Sequence, residues 1–268
     1  MKKVILLTGN ELRHRFFCKY LSNHPKIKVL NSFCESSDGD IKEVIKKDKK
    51  NSLREGHLID RDQAEKDFFE LYLNNIEDVS NSIFIKRGDI NKEEWVSYIS
   101  DLKPDILISF GCSIIKSKLL DTFNKKFINI HLGLSPYYRG SGTNFWPIVN
   151  NDFSLIGTTF MHIDKGIDTG SIIHQIRANI YPFDNIHSIG NRLIKDSILC
   201  CADLIINFDK VKDIDNNINF DFIEKVYRKG DFNEDSIVDA NNDLKERIYN
   251  YLNNKVIIDE KFPIIKSL

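Results

Sequence analysis

Residues 127–140 read FINIHLGLSPYYRG, an apolar run of strand type that leads into a loop containing Gly and Pro. Asn129 and His131 lie two residues apart in this run, so the two-residue period of a β-strand predicts that both polar side chains face one side. Farther along the chain, residues 166–170 read GIDTG, a turn that holds Asp168 between two alternating apolar runs. The sequence therefore predicts an amide, an imidazole and a carboxylate at the ends of strands.

The rest of the chain alternates strand-type runs with helical patterns, which is typical of a doubly wound α/β domain with a mostly parallel sheet. Predicted strands lie at residues 3–8, 27–33, 83–86, 105–110, 127–131, 156–163 and 171–176. Predicted helices include residues 12–20, 65–73, 92–102, 116–123, 143–149 and 185–208. Pro147 is compatible with its helix only in the first turn. In such a fold, ligands bind at the carboxyl ends of the strands.

The composition changes twice along the chain. Residues 34–81 are rich in charge, and we expect one or two surface helices there, with the charge run at 46–50 on a solvated face. Residues 1–208 are predicted to form the main domain. Residues 209–268 contain more Asn, Asp and Lys and are predicted to form a small C-terminal appendage. We expect its apolar residues to pack on the main domain or on a second subunit: Phe220, Phe222, Ile223, Val226 and Tyr227.

Charge and cysteine content disfavour several classes of protein. The 268-residue chain has a formal net charge of -1, which argues against a broad nucleic-acid surface and leaves room for a local basic patch. No apolar run is long enough to span a membrane, and the first run stops at Thr8, which is too short for a signal peptide. The five cysteines are odd in number and form no CxxC pair, so we expect reduced thiols and a cytoplasmic protein.

Asn129, His131 and Asp168 together offer the groups that an amine needs when it attacks a carbonyl carbon. Such a reaction requires a donor for the developing oxyanion, a group that moves a proton, and a carboxylate that orients it. A Ser-His-Asp hydrolase built on Ser135 is disfavoured, because the chain has no G-x-S-x-G elbow and Ser135 precedes a proline. Taken singly, each of the three residues could equally satisfy backbone groups at a strand end.

Metal and dinucleotide sites are not predicted. No pair with i,i+4 spacing exists among the candidate histidines His131, His162, His174 and His187. The turn after the first strand has a lone glycine, Gly9, rather than a G-x-G-x-x-G fingerprint, so a dinucleotide site is disfavoured. This turn either helps to bind an anion together with Arg13 and Arg15, or is a tight turn with two surface arginines.

The string at 127–140, with GIDTG downstream, resembles the folate-dependent formyltransferase family, which includes methionyl-tRNA formyltransferase, glycinamide ribonucleotide formyltransferase and the sugar-nucleotide N-formyltransferases. The similarity covers residues 3–208 and is dense from 104 to 175. It implies a Rossmann-like formyltransferase fold. Where the family commonly has Leu-Leu-Pro, this chain has Leu-Ser-Pro at 134–136, a modest departure that concerns the shape of the loop.

The resemblance implies that Asn129, His131 and Asp168 occupy the catalytic positions. It implies transfer of a formyl group from 10-formyltetrahydrofolate to a primary amine, with no metal. Asn129 and protonated His131 would stabilise the oxyanion, and Asp168 would hold the imidazolium and a water that relays the proton. By the same resemblance, the folate pocket would comprise Phe110, Gly111, Ser113, Ile114, Ile115, Ile163, Asp164 and Gly166.

The resemblance identifies the formyl donor more precisely than the amine acceptor. Methionyl-tRNA formyltransferases usually carry a C-terminal barrel and a basic surface for tRNA, whereas only residues 209–268 follow here and the chain is slightly acidic. We therefore expect a nucleotide-linked amino sugar, as in the often dimeric enzymes that formylate sugars for bacterial surface polysaccharides. Methionyl-tRNA formyltransferase and formyltetrahydrofolate hydrolase are the alternatives, and an inactive binding module is disfavoured by the intact triad. Predicted acceptor-binding residues are Thr8, Asn10, Arg13, Ser135, Tyr137, Arg139 and Trp146, with Tyr137, Tyr138 and Trp146 expected to be exposed.

Overall fold

The computed structural model describes residues 1–36, 52–216 and 223–268. Seven strands form the main sheet: β1 (Lys2–Thr8), β2 (Ile27–Glu35), β3 (Ser82–Ile85), β4 (Ile106–Phe110), β5 (Phe127–His131), β7 (Gly157–His162) and β8 (Ile172–Arg177). A small second sheet pairs β6 (Tyr138–Gly140) with β9 (Lys225–Tyr227). The order in the main sheet is β3-β2-β1-β4-β5-β7-β8. β1 to β5 pair in parallel and β7 is antiparallel to both of its neighbours, which confirms the predicted mostly parallel α/β fold.

The central strand β1 is apolar on both faces because helices cover the sheet on both sides. Val4 and Leu6 pack in one hydrophobic cluster, while Ile5 and Leu7 pack in another. All four side chains are buried. A parallel strand buried on both faces has a nearly continuous apolar sequence rather than an alternating one, which is what residues 4–7 show.

The six predicted helices are all present, and two further helices lie in the described part of the C-terminal segment. They are α1 (Leu12–Ser22), α2 (Ser52–Asn75), α3 (Glu93–Asp101), α4 (Ser117–Thr122), α5 (Trp146–Val149), α6 (Ile186–Asn207), α7 (Glu234–Asn241) and α8 (Leu244–Glu260). α1, α2 and α6 cover one face of the sheet, and α3 and α4 cover the other. α6 begins after Asn185, whose side chain accepts a hydrogen bond from the Ser188 N–H at 2.8 Å. Pro147 lies in the first turn of α5, as predicted.

The order of strand addition reverses between β1 and β4. β2 and β3 lie on one side of β1, whereas β4 and β5 lie on the other. At such a switch point the connecting loops diverge and leave a crevice at the carboxyl ends of the strands. β4 ends at Phe110 and β5 ends at His131, so both strands deliver their last residues to this crevice.

The segment after α6 packs tightly on the rest of the chain. β9 runs parallel to β6, with Gly140 opposite Tyr227. Ile237, Ile248 and Tyr251 of α7 and α8 share a hydrophobic cluster with residues of the 134–156 region. In the described part of the chain, the appendage therefore packs on the main domain through α7, α8 and Tyr227, whereas Ile223 and Val226, which we expected to pack, are exposed. The domain boundary at 208/209 stays a prediction. The charge run at 46–50, Phe220 and Phe222 lie outside the described residues.

The last residues of the chain run along β8. The Gln175 N–H donates to the Ile265 carbonyl at 2.7 Å, and the Ile265 N–H donates to Gln175 Oε1 at 3.0 Å. Ile172 and Ile214 exchange backbone hydrogen bonds farther along the same strand. The outer side of β8 is thus paired with two other segments of the chain. Among the described helices, none has the length and apolarity needed to cross a membrane.

We expect Gly140→Ala to destabilise the protein by about 1–3 kcal/mol. Gly140 has φ +95°, and a Cβ built on it would overlap the Tyr227 carbonyl oxygen of the paired strand. The matched control is Gly56→Ala in α2, where a Cβ would meet nothing within 4 Å. This control should stabilise the protein by up to about 1 kcal/mol. Chemical denaturation of both variants measures the two changes, and equal changes would contradict the assigned strain at Gly140.

Candidate active site

Asn129 and Ser109 face each other across neighbouring strands. They are paired residues in the register of β4 and β5. The Ser109 hydroxyl donates to Asn129 Oδ1 at 2.9 Å. Because the amide oxygen is engaged in this way, the Asn129 NH₂ group is the part left to donate to a ligand. Ser109 was not among the predicted site residues, although a serine in the apolar β4 run was a visible signal.

His131 lies on the same face of β5 as Asn129, since Ile128 and Ile130 belong to the hydrophobic cluster on the opposite face. Its Nδ1 is 3.3 Å from Asp168 Oδ1, and its Nε2 is 3.1 Å from the Tyr138 carbonyl oxygen. Both neighbouring oxygens only accept hydrogen bonds. The ring satisfies both when each nitrogen carries a proton, which is the imidazolium form.

Asp168 is held by the backbone around it. Its Oδ2 accepts the Gly140 N–H at 3.0 Å, and its own carbonyl accepts a hydrogen bond from Asn216 Nδ2 at 3.1 Å. Asp168 has φ +53°, a left-handed conformation that aspartate tolerates better than most residues. It lies in the hairpin loop (residues 163–171) that joins β7 to β8. Within this loop, Asp164 Oδ1 accepts from the Gly166 N–H and the Thr169 hydroxyl, which ties the loop together.

A cavity of about 300 Å³ opens beside Asn129 and Asp168, and we call it the hairpin-loop cavity. Its lining includes Gly111, Ser113, Ile114, Ile115, Ile163, Asp164 and Gly166, which are all of the predicted folate-pocket residues except one. The exception is Phe110, whose ring lies on the other face of β4 against His14 and Phe17. The even-numbered residues of β4 face α1, so the Phe110 side chain cannot reach the cavity. Ile114 and Ile167 are exposed apolar residues of the lining.

Glu35 supports one wall of the hairpin-loop cavity. This carboxylate is 2% exposed and accepts three hydrogen bonds: from the Ser113 N–H at 2.6 Å, the Ser113 hydroxyl at 2.7 Å and the Gly88 N–H at 2.9 Å. It therefore fixes the loop that follows β4. Glu35 was not among the predicted site residues, because the predicted second strand stopped at residue 33, whereas β2 continues to Glu35.

Cys112 lies in the same wall and is not suited to nucleophilic chemistry. Burial, and then the neighbouring charge of Glu35, raise the pKa of the Cys112 thiol to about 12. A thiol with this pKa remains protonated near neutral pH, so it supplies no thiolate.

A second cavity, of about 290 Å³, lies between α2, α6 and the 141–146 segment, and we call it the helix-pair cavity. Phe145, Trp146 and Phe232 give it an aromatic side. Its cationic side chains are Arg13, Arg61, Arg228 and Lys229, whereas Glu65 is its one acidic residue among those described. The cavity also reaches Leu132 and Ser141, close in sequence to His131 and to Gly140.

The predicted acceptor-binding residues are only partly brought together. Arg13 and Trp146 line the helix-pair cavity. Thr8 is buried and its hydroxyl donates to the Phe110 carbonyl at 2.7 Å, while Asn10 is exposed and lines neither cavity. Arg139 forms an ion pair with Glu224 at 2.7 Å, so its guanidinium is engaged by the segment before β9.

The expectation that the three aromatic side chains are exposed is wrong. Tyr137 is 1% exposed, Tyr138 0% and Trp146 5%. Tyr137 donates to the Pro263 carbonyl at 3.1 Å, and Trp146 stacks on Tyr227 with ring centroids 4.2 Å apart. These partners belong to the C-terminal segment, which covers the rings. Ser135 is also 1% exposed, and its N–H donates to the Thr159 hydroxyl at 2.9 Å in the interior.

No cluster of three or more His, Cys, Asp or Glu side chains suited to a metal ion occurs in residues 1–36, 52–216 and 223–268. The groups that converge here are instead an amide, an imidazole and a carboxylate beside a cavity. That arrangement can stabilise negative charge on an oxygen and relay a proton.

Comparison with known proteins gives several relatives that match part of the chain. A methionyl-tRNA formyltransferase from Desulforamulus reducens is 36% identical over 109 residues, which are 40% of this chain and 34% of that protein. A GDP-perosamine N-formyltransferase from Brucella melitensis is 31% identical over 121 residues, 45% of this chain and 46% of that protein. The matched parts thus span about a third to a half of these relatives.

Solved structures share the fold at low sequence identity. A sugar N-formyltransferase from Shewanella sp FDAARGOS_354 superposes with a TM-score of 0.58 at 16% identity, covering 89% of this chain and 87% of that one. A phosphoribosylglycinamide formyltransferase from Anaplasma phagocytophilum gives 0.54 at 17% identity, covering 85% and 98%. The family model described as Formyl transferase matches residues 28–198. This match confirms the family indicated by residues 127–140 and GIDTG: the chain belongs to the formyl transferase family.

Proposed function

We propose that this protein transfers a formyl group from 10-formyltetrahydrofolate to the primary amine of a nucleotide-linked amino sugar. The observation that carries the proposal is the position of the Asn129 amide and the His131–Asp168 pair beside the hairpin-loop cavity. Family membership supports formyl transfer as the reaction class. The acceptor is inferred from the character of the helix-pair cavity and from the Brucella relative.

The hairpin-loop cavity suits the folate donor. Its lining combines isoleucine side chains with backbone groups at 111–113 and 163–166, and a pterin needs both apolar contact and backbone hydrogen bonds. Glu35 holds the first of these backbone stretches, and Asp164 holds the second. In the proposed complex, the formyl carbon would lie at the end of the cavity where Asn129 and Asp168 are found.

Asn129 and His131 would stabilise the negative charge that develops on the formyl oxygen when the amine nitrogen forms its bond to the formyl carbon. Asn129 would donate directly through its NH₂ group, because Ser109 engages its carbonyl oxygen. His131, which lies between the Asp168 carboxylate and the Tyr138 carbonyl, would add a positive charge nearby when protonated. The water-excluding surroundings of a buried imidazole strengthen this charge effect relative to bulk solvent.

Asp168 would hold the water that carries the proton. Its Oδ1 holds His131 and its Oδ2 accepts from Gly140, and a carboxylate retains further lone pairs that could hold a water. That water would take the proton lost by the attacking nitrogen. The proton is then returned to N10 of the folate, as the bond between N10 and the formyl carbon breaks, so that the products are a formamide and tetrahydrofolate.

The helix-pair cavity supports a nucleotide-linked acceptor. Arg228 and Lys229 offer positive charge for phosphates, and the ring of Trp146 with Phe145 and Phe232 offers surfaces for a base or a sugar. A methionyl-tRNA acceptor is the second candidate, because the Desulforamulus relative carries that name. In that case the same cations would meet tRNA phosphates.

The test is to incubate the full chain with 10-formyltetrahydrofolate and, separately, with amino-sugar nucleotides carrying different bases, with charged initiator methionyl-tRNA, and with no acceptor. We expect tetrahydrofolate and a formamide to appear only with an amino-sugar nucleotide. Turnover with methionyl-tRNA alone would replace the proposed acceptor, and turnover without any amine would indicate a hydrolase. Asp168→Asn should lower the rate on the order of a hundredfold or more, which ties the activity to this site.

Ser109→Ala should lower kcat about three- to tenfold, because the Asn129 amide loses the hydrogen bond that orients it. Asn129→Ala should cost on the order of a hundredfold. In the Asn129→Ala background, Ser109→Ala should have no further effect on kcat, which a double-mutant cycle measures. The matched control is Ser197→Ala on α6, which removes a buried hydroxyl that contacts Thr158 of β7. Equal losses from Ser109→Ala in both backgrounds would rule out orientation of Asn129 as its role.

Glu35→Gln should raise the KM for the folate donor about tenfold or more while leaving the KM for the acceptor and kcat nearly unchanged. The reason is that an amide group replaces one carboxylate oxygen, so one of the donors from Ser113 or Gly88 loses its acceptor. Ser113→Ala removes only one of the three hydrogen bonds and should give a smaller effect. Steady-state kinetics with each substrate varied in turn checks both variants. A rise in both KM values by the same factor would contradict a role confined to the donor side.

A further inference from the structure

One wall of the helix-pair cavity carries two histidines that formyl transfer does not use. His57 on α2 and His187 on α6 have ring centroids 4.7 Å apart. His57 also packs against Phe145 and Phe232, with centroid distances of 5.4 and 5.6 Å. Neither imidazole has a hydrogen-bond partner within the described part of the chain. Two half-buried rings at this distance would repel each other if both were charged.

Two hydrogen-bond donors in the same wall have no acceptor among the described residues. Asn191, one turn after His187 on α6, is 4% exposed and lines the cavity, and its Nδ2 has no partner among the described residues. The Nε of Arg61, on α2 one turn after His57, is likewise buried without a hydrogen-bond partner in that part of the chain, and Asp62 Oδ1 approaches it only to 4.0 Å. Buried donors are normally satisfied, so two orphaned donors in one cavity indicate a ligand that brings acceptors.

The charges around the two imidazoles favour an anion. α1 contributes Arg13, α2 contributes Asp60, Arg61 and Glu65, and the C-terminal segment contributes Arg228 and Lys229. Arg13 forms ion pairs with Glu11 and Glu65, and Arg61 approaches Glu11 at 3.5 Å, so Glu11 and Glu65 are already matched by cations. Asp60 adds one negative charge near His187, and Arg228 and Lys229 add two positive charges to the lining of the cavity. His187 and Asn191 lie in the first turns of α6, where the helix dipole also favours negative charge.

We propose that His57, Arg61, His187 and Asn191 form a phosphoryl site that binds the diphosphate of the nucleotide-linked acceptor, and that the imidazole pair takes up a proton when the diphosphate binds. This proposal rests on the proposed function of the helix-pair cavity as the acceptor site. Asn191 Nδ2 and Arg61 Nε supply donors at once. Each neutral imidazole offers one N–H donor. Protonation adds a second donor and a positive charge, which an adjacent anion favours and the neighbouring ring opposes.

The sign of the pH effect follows from the resting state of the rings. Burial, then His187 and Arg61, lower the pKa of His57 to about 4, and burial lowers the pKa of His187 as well. Both rings are therefore neutral near neutral pH before the ligand binds. A bound diphosphate raises these pKa values, so affinity is highest at low pH and falls as the pH rises through the pKa of the complex. The diester phosphates of a nucleotide sugar do not titrate near neutral pH, so the change reports on the protein.

The experiment is isothermal titration calorimetry of the full chain with nucleoside-diphosphate hexoses that lack an amino group, carrying uracil, thymine, guanine or cytosine. Titrations are run at about pH 6, 7 and 8 and in two buffers of different ionisation enthalpy, which measures proton uptake directly. For at least one nucleotide, we expect uptake of up to about one proton near neutral pH and affinity that falls up to about tenfold per pH unit. Binding of none of the four, or binding without proton uptake, overturns the proposal. These measurements need no variant.

Three variants locate the effect. The double variant His57→Gln with His187→Gln should bind with little dependence on pH, and Asn191→Leu should weaken binding about tenfold or more at every pH. His24→Gln is the matched control, because His24 lies at the end of α1 and lines neither cavity. Thermal unfolding verifies that each variant is folded. Unchanged pH dependence in a folded double variant, or unchanged affinity in Asn191→Leu, would show that the site is wrongly assigned.

The results separate this proposal from the proposed function. Formyl transfer to an amino-sugar nucleotide with pH-independent binding would leave the function standing and remove the phosphoryl site. Proton-linked binding of a nucleotide sugar in a protein that formylates no amino sugar would do the reverse. Proton-linked binding of tRNA with no binding of any nucleotide sugar would overturn the diphosphate as the ligand.

Discussion

The hydrogen bond from the Gly140 N–H to Asp168 Oδ2 is the contact on which the site depends most. It joins the hairpin loop to β6, and β6 is itself paired with β9 of the C-terminal segment. The carboxylate that holds His131 is therefore positioned by parts of the chain that are far apart in sequence. Because Gly140 has to approach the backbone of Tyr227 closely and at positive φ, only glycine fits this position without strain. The geometry of the candidate site therefore depends on the docking of the C-terminal segment.

The candidate site lies between the two cavities. Asn129 and Asp168 border the hairpin-loop cavity, and residues 141–146, which follow Gly140 directly, border the helix-pair cavity. The proposed reaction needs an electrophile on one side and an amine on the other, with His131 near both. The walls of the two cavities are held differently. Glu35 fixes one loop of the hairpin-loop cavity, whereas two buried donors of the helix-pair cavity have no hydrogen-bond partner among the described residues. Under the proposed function, the formyl donor would meet a preformed wall and the acceptor would complete the other.

Sequence predicted the features that depend on local periodicity. The strand at 127–131 and the shared face of Asn129 and His131 follow from a two-residue period between covered faces, and the start of α6 follows from the capping residue Asn185. Features that depend on distant partners were not predictable in this way. Tyr137 is aromatic in a loop, and nothing near it in sequence says that Pro263 will cover it. Glu35 and His57 gained their roles only when the fold brought Ser113 and His187 beside them.

The pairing of β8 with residues 214 and 265 limits how copies of this protein can associate. A strand at the border of a sheet carries a row of unpaired N–H and C=O groups, and such a row is a template for another chain. Here the backbone groups of Ile172 and Gln175 are already used by the chain itself. The C-terminal tail therefore occupies part of the sheet edge with which another chain could otherwise pair. Any association between copies of this protein has to use side-chain surfaces rather than sheet extension through this part of β8.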